Sequence, residues 1–293
     1  MVRQERKYLA VQSLNRSNGY PIATLCDILT LNRSSYYKWL RRDASEQEAE
    51  DNELIACICS IQQDVNGIYG YRRMQMNLSR RFGLHCNKKR VYRVMRAIGM
   101  RSVIRRKRPN YRKSTPEITV ENTLDRKFTA DIVNEKWLTD VTEFKYGNGG
   151  GKLYLSAILD LCDKSIVAYR VGHSNSNPLA FETFDAAVRA HSDAKPLFHS
   201  DRGFQYTNSA FKTKLIAQGM TQSMSRAGRC IDNGPMEAFW GTLKSEMYYL
   251  QKFSDAESLQ TAIDKYIEFY NHRRYQAKLG GLAPMEFRRA MLI

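Results

Sequence analysis

Pro196-Leu197-Phe198-His199-Ser200-Asp201-Arg202-Gly203 is a short apolar run that ends in a carboxylate and passes at once into an Arg-Gly turn signal. This is how a buried strand ends when it delivers an acidic side chain to a cleft. Upstream, Lys136-Trp137-Leu138-Thr139-Asp140-Val141-Thr142-Glu143 reads as another strand, carrying Asp140. Downstream, Asp232-Asn233-Gly234-Pro235-Met236-Glu237-Ala238-Phe239-Trp240 reads as a helix start, with proline favourable in the first turn. Thirty-five residues separate Asp201 from Glu237.

The segments between these three fill in one architecture. Strand signals run over 136–144, then, after a Gly147-Asn148-Gly149-Gly150-Gly151 turn, over 153–159 and 165–171. A helix over 178–191, the strand ending at Asp201, a helix over 208–218, a strand over 221–224 and the helix from Asn233 follow. The order β-β-β-α-β-α-β-α predicts a mixed five-stranded sheet with flanking helices. The first and fourth strands should be neighbours, which brings Asp140 and Asp201 together under Glu237.

The 293-residue chain carries a formal net charge of +16, unevenly spread. Residues 1–128 hold 26 Lys+Arg and 12 Asp+Glu, a net +14, so the remainder carries only +2. A basic arm on a near-neutral body is an electrostatic anchor for a polyanion. The six cysteines show no zinc-ligand spacing and read as free thiols in a reducing cytoplasm. No apolar run approaches 20 residues, and the N-terminus lacks a signal-peptide core, so neither a membrane span nor export is expected.

The basic arm is helical. In 1–45, Tyr8, Leu9, Val11 and Leu14 mark one apolar face. After a break at Asn18–Pro21, two short helices over 22–29 and 33–40 follow the helix-turn-helix plan. Arg33, Ser34, Ser35 and Lys38 stand where a recognition helix meets DNA. Residues 46–102 form a second helical unit. In it, a helix opened by Gly67–Arg73 precedes another capped by Asn87, with Val91, Val94, Met95 and Ile98 inward. From Val65 to Pro116 there is no acidic residue against sixteen Lys+Arg, so Arg72, Arg73, Lys88, Lys89, Arg90 and Arg93 are candidate DNA contacts. Residues 103–128, with Arg105, Arg106, Lys107 and Arg108, read as an extended basic linker along a phosphate backbone. The core is expected over 129–250 and a C-terminal helical extension over 251–293, opened by a Ser254–Glu257 capping box.

Three carboxylates ionised at neutral pH repel one another unless cations sit among them. Magnesium takes oxygen ligands and completes its shell with substrate phosphate. Two ions about 4 Å apart serve both the attacking and the leaving oxygen of an in-line displacement. Glu143, three residues beyond Asp140, falls on the opposite strand face, and Asp232 reads as a helix cap.

The Asp140, Asp201 and Glu237 segments resemble the three signature blocks of OrfB-type insertion-sequence transposases, whose catalytic core is similar to that of retroviral integrases. Tyr69-Gly70-Tyr71-Arg72-Arg73, Lys89–Met95 and Tyr270-Asn271-His272-Arg273-Arg274 resemble the same family, so the likeness covers nearly the whole chain. It implies an α/β ribonuclease-H-like core preceded by all-α helix-turn-helix domains. It also implies a transposase that binds inverted-repeat element ends, frees a 3′-hydroxyl and transfers it to target DNA. Asp140, Asp201 and Glu237 would be the ligands of two Mg2+ ions, with Mn2+ as a substitute. Lys244, on the face of Glu237 two turns on, would reach the double-stranded DNA. Asn233 would orient a carboxylate or substrate, and His199 would either tune the site or pack in its strand. A homodimer or higher assembly on DNA is expected, in the bacterial cytoplasm at the nucleoid. Some relatives are fused to an upstream helix-turn-helix and coiled-coil protein, so such a partner belongs to the expectation. The competing readings are a sequence-specific regulator with an inactive nuclease-like domain and a simple metal nuclease acting on RNA–DNA hybrids.

Overall fold

The structure, a computed structural model, describes residues 5–43, 46–104, 121–226 and 230–292. Arg105, Arg106, Lys107 and Arg108 lie outside the described residues. Two compact units form, Met1–Gly67 with Leu78–Arg101 and Ile68–Asn77 with Ser102–Ile293.

The first unit is helical. Helices α1 (Glu5–Asn18), α2 (Ile22–Ile28) and α3 (Arg33–Arg41) close around Tyr8, Val11, Leu25, Cys26, Leu31 and Tyr36. Trp39 stacks on Tyr8 at 5.4 Å between ring centroids. Of the four apolar residues expected on the inner face of α1, Tyr8 and Val11 are buried, whereas Leu9 and Leu14 are 49% and 39% exposed. A short three-helix cluster has room for a narrow stripe only. The side chain of Asn32 caps α3 by accepting from Ser34 N at 3.0 Å. Helix α4 (Glu46–Asp64) buries Leu54, Ile58 and Ile61. Helix α5 (Tyr71–Phe82) precedes α6 (Lys88–Ala97), which Asn87 caps as predicted and which buries Val91, Val94 and Met95. Residues 46–67 and 78–101 thus group with 1–43 in one unit, while 68–77 group with the other.

The second unit is built on a sheet in the order β3-β2-β1-β4-β5. Strands β1 (Lys136–Tyr146), β2 (Gly151–Asp160) and β3 (Ile166–Gly172) form the predicted antiparallel meander. Their first turn needs φ of +56° at Gly147 and +93° at Gly149, backbone that glycine adopts without a Cβ penalty. Helix α7 (Asn177–Ala190) crosses over to β4 (Leu197–Ser200), which lies parallel to β1. Helices α8 (Phe204–Thr207) and α9 (Ser209–Ala217) lead to β5 (Thr221–Met224), parallel to β4. Helices α10 (Gly234–Glu246), α11 (Ala256–His272) and α12 (Pro284–Met291) complete the unit.

Strand alternation sorts the sheet's side chains onto two cores. On one face Trp137, Phe184, Phe198, Phe211 and Leu215 pack α7 and α9 against the sheet. On the other, Leu138, Phe144, Leu155, Phe239, Leu243, Ile263 and Ile267 pack α10 and α11. Leu124 is 1% exposed within the second core, and the helical extension joins the same core through α11. Burial of one face of an amphipathic helix decides this, and its partner surface is distant in sequence. The start of α11 is capped by Asp255, whose side chain accepts from Ser258 N at 2.8 Å, in place of the expected Ser254–Glu257 box.

Candidate active site

Strands β1 and β4 run parallel with Thr139 opposite Ser200. The next residue on each chain is Asp140 and Asp201, so the two carboxylates leave adjacent strands at one level. Asp140 shares the strand face of Leu138 and Phe144, which is the face covered by α10. Helix α10 is tied down at two points. Trp240 Nε1 donates to Asp140 Oδ2 at 3.0 Å, and Asn233 Nδ2 donates to the Thr139 carbonyl at 3.0 Å. Glu237 lies three residues before Trp240, on the same side of the helix.

The site penalises its own charge. Burial, then the charges of Asp201 and Glu237, push the pKa of Asp140 up to about 7, against the pull of bonds from Trp240 and from Val141 N. Burial also raises Asp201, offset in part by the Gly203 N–H that donates to its Oδ1 at 2.9 Å. A Cβ at Gly203 would stand 3.0 Å from Asp201 Oδ1 and 2.7 Å from Gln205 Oε1, so a larger residue there would displace these side-chain ends. Beneath the strand ends, the buried Tyr206 hydroxyl lies 3.1 Å from Thr139 Oγ1. Lys244 stands over the Phe144 ring at 5.1 Å, and burial lowers its pKa while the charges of Asp140 and Glu143 raise it.

Among the described residues, no three His, Cys, Asp or Glu side chains close into a metal-binding group. The donor set nonetheless fits a hard divalent ion: its ligands are all carboxylate oxygens, and their burial and mutual charge are what such an ion relieves.

The other expected site residues divide. Glu143 is on the opposite face, held by Lys152 at 2.9 Å and by Tyr154. Asp232, expected as a helix cap, is instead a fully buried hub. Its carboxylate accepts from Arg126, Arg226 and Asn122, and the N-cap position of α10 belongs to Asn233. Asn233 is 3% exposed and tethers α10 to β1 through the Thr139 carbonyl. Its Oδ1 is buried without a hydrogen-bond partner among the described residues. His199 is fully buried between Ser223 Oγ and Ser225 Oγ, and burial lowers its pKa to about 4, so it is a neutral packed residue of the strand.

In the first unit Arg33, Ser34, Ser35 and Lys38 are exposed along α3, and Lys88, Lys89 and Arg93 along α6. Arg90, also a candidate DNA contact, is paired with Asp51 at 2.8 Å and Glu50 at 2.9 Å. In the second unit Arg72 is exposed, while Arg73 turns inward to Glu246 at 2.9 Å. Sequence reasoning missed Trp240 as a partner of Asp140. The three-residue spacing from Glu237 is the signal that could have found it.

Three family models match the chain: an integrase core domain over residues 130–230, an HTH-like domain over 49–108 and a further integrase core domain segment over 237–292. The putative transposase InsK for insertion sequence element IS150 of Escherichia coli K12 is 38% identical over 92% of this chain and 94% of its own. A transposase-like protein of Haemophilus influenzae is 41% identical over 73% of this chain and 98% of its own. Among solved structures, the HTLV-2 integrase catalytic core domain aligns with 54% of this chain and 97% of its own, at TM-score 0.43 and 19% identity. No described helix is long and apolar enough to cross a membrane.

Proposed function

The chain belongs to the OrfB-type transposases of insertion sequences, and we propose that it binds the inverted-repeat ends of its element, frees a 3′-hydroxyl there and joins it to target DNA. The observation that carries this reading is that Asp140, within β1, and Asp201, just past the end of β4, stand level on adjacent parallel strands, with α10 bonded to Asp140 itself.

Asp140, Asp201 and Glu237 would hold two divalent cations, Mg2+ with Mn2+ as a substitute. Bound there, such ions supply Lewis-acid activation of the attacking oxygen and charge stabilisation of the leaving one. In the first step a water oxygen attacks the phosphorus, the P–O3′ bond breaks, and the 3′-oxygen leaves as a hydroxyl with a proton from solvent. In the second, that 3′-hydroxyl attacks a target phosphodiester, forming one P–O bond as another breaks. The protein's part is positioning, which accounts for much of the rate of such transfers. Asn233 and Trp240 hold α10 in place, and Lys244 contributes positive charge beside the carboxylates. Arg33, Ser34, Ser35 and Lys38 on α3, and Lys88, Lys89 and Arg93 on α6, present cations and hydroxyls to the duplex. Two ends must meet, so the active species on DNA is at least a dimer.

The test is strand joining on a labelled duplex carrying the element end, with Mg2+, comparing wild type with Glu237→Gln. Joined product from wild type alone supports the reading. Binding without reaction by both proteins favours either a missing upstream partner or a regulator with a silent nuclease-like core. Equal activity removes Glu237 from the ligand set.

A further inference from the structure

Two sequence blocks of like form, Tyr69-Gly70-Tyr71-Arg72-Arg73 and Tyr270-Asn271-His272-Arg273-Arg274, have no part in the chemistry above. Within the second unit they meet on one carboxylate. Glu246, the last residue of α10, is 7% exposed. Its Oε1 accepts from Arg73 Nη1 at 2.9 Å and Arg274 Nη2 at 2.7 Å. Its Oε2 accepts from Arg274 Nε at 2.8 Å and the Tyr266 hydroxyl at 2.9 Å. Each arginine also lies over the tyrosine four residues before it: Arg73 over Tyr69 at 5.3 Å and Arg274 over Tyr270 at 5.5 Å. Both tyrosines are buried.

We propose that Glu246 is a positioning residue of the transposition reaction, held by a paired clamp made of the two Tyr-x-x-x-Arg motifs. Neutralising one buried carboxylate takes one guanidinium, and Arg274 alone gives it two hydrogen bonds. The second guanidinium, 173 residues away in sequence, joins the start of α5 to the end of α10. Ser102 Oγ, donating to the Ile68 carbonyl at 2.8 Å, holds the same segment. Glu237 and Lys244 lie nine and two residues before Glu246 on one rigid helix. Asn233 fixes that helix at its start and the clamp fixes it at its end. A tilt about either end moves Glu237 relative to Asp140.

This inference rests on the transposase reading, and the test separates the two. Arg73→Met removes one arm and leaves Glu246 paired with Arg274 and Tyr266, so the protein folds. Arg73→Lys keeps the charge. Four quantities are measured on full-length protein: element-end affinity, melting temperature, single-turnover joining at saturating DNA, and hydrogen exchange of the 234–246 peptide. For Arg73→Met we expect end affinity within threefold of wild type and a melting temperature within a few degrees. Joining should be about 10–100-fold slower, the scale of an ångström-level misplacement, and α10 exchange about tenfold faster. Arg73→Lys should recover part of both. Wild-type joining with unchanged exchange overturns the proposal. So does a loss of affinity that accounts for the whole loss of rate, which makes Arg73 a DNA contact. If wild type itself does not join, the transposition reading fails. The exchange of α10 then decides the clamp alone: faster in Arg73→Met sustains it, unchanged refutes it.

Discussion

Trp240 Nε1 donates to Asp140 Oδ2 at 3.0 Å, so the helix that carries Glu237 is bonded directly to the Asp140 carboxylate on β1. The indole is 6% exposed and packs with Phe239 and Leu243 in the core between α10 and the sheet. One residue therefore seats the helix by its apolar body and aims it by its polar tip. Trp240→Phe keeps most of the packing and removes the donor. Hydrogen bonds to charged groups contribute about 1.5–3 kcal/mol, so strand joining should fall about tenfold or more while end-DNA affinity holds. Single-turnover joining beside a binding isotherm checks it, and an unchanged rate would deny the bond a role.

Asp232 should be a stability residue with a distinctive pH signature. Its side chain is fully buried, and bonds from Arg226, working against burial, and from Arg126 hold its carboxyl far below the usual carboxylate range. A depressed acid contributes fully above its unfolded pKa near 4 and loses that contribution as pH falls toward the folded value. Both arginines are more than 40% exposed, which screens the pairs, so Asp232→Asn should cost about 2 kcal/mol at pH 7. The melting-temperature gap between wild type and variant should be constant from pH 8 to 5 and narrow below pH 4. A gap independent of pH would contradict it.

His199 acts in a different window. Burial lowers its pKa from 6.5 to about 4, so between those values the unfolded chain binds a proton that the folded one excludes. Stability then rises with pH across the window and is lost as pH falls from 6.5 to 4, by about 3 kcal/mol at 1.36 kcal/mol per pKa unit. Chemical denaturation at pH 4.5 and 7.5 should show that slope in wild type and a shallower one in His199→Gln.

The DNA-facing cations should separate by their partners. Lys38 and Lys89 are exposed, so each alanine substitution should weaken duplex binding and reduce the salt slope by about 1. Arg90 is bonded to Asp51 and Glu50, so Arg90→Ala should leave the slope nearly unchanged and lower the melting temperature instead. Binding titrations from 50 to 200 mM salt distinguish the two classes.

Local pattern determined much of this protein. The meander, the fourth strand, the Asn87 cap, the placing of Asp140 on the first strand and of Asp201 after the fourth, and the helix that carries Glu237 all follow from two-residue and four-residue periodicities and turn residues, which a chain carries within a few neighbours. What the chain could not declare by itself is where charges at great sequence separation find each other. Asp232 was legible as a cap and is a hub for Arg126 and Arg226. Arg73 and Arg90 were legible as cations on a basic stretch, and their guanidiniums pair with Glu246 and Asp51. An arginine on a basic stretch looks the same whether it faces phosphate or a buried carboxylate. Only tertiary packing, driven by apolar faces that carry no label for their partners, decides which of the two it meets.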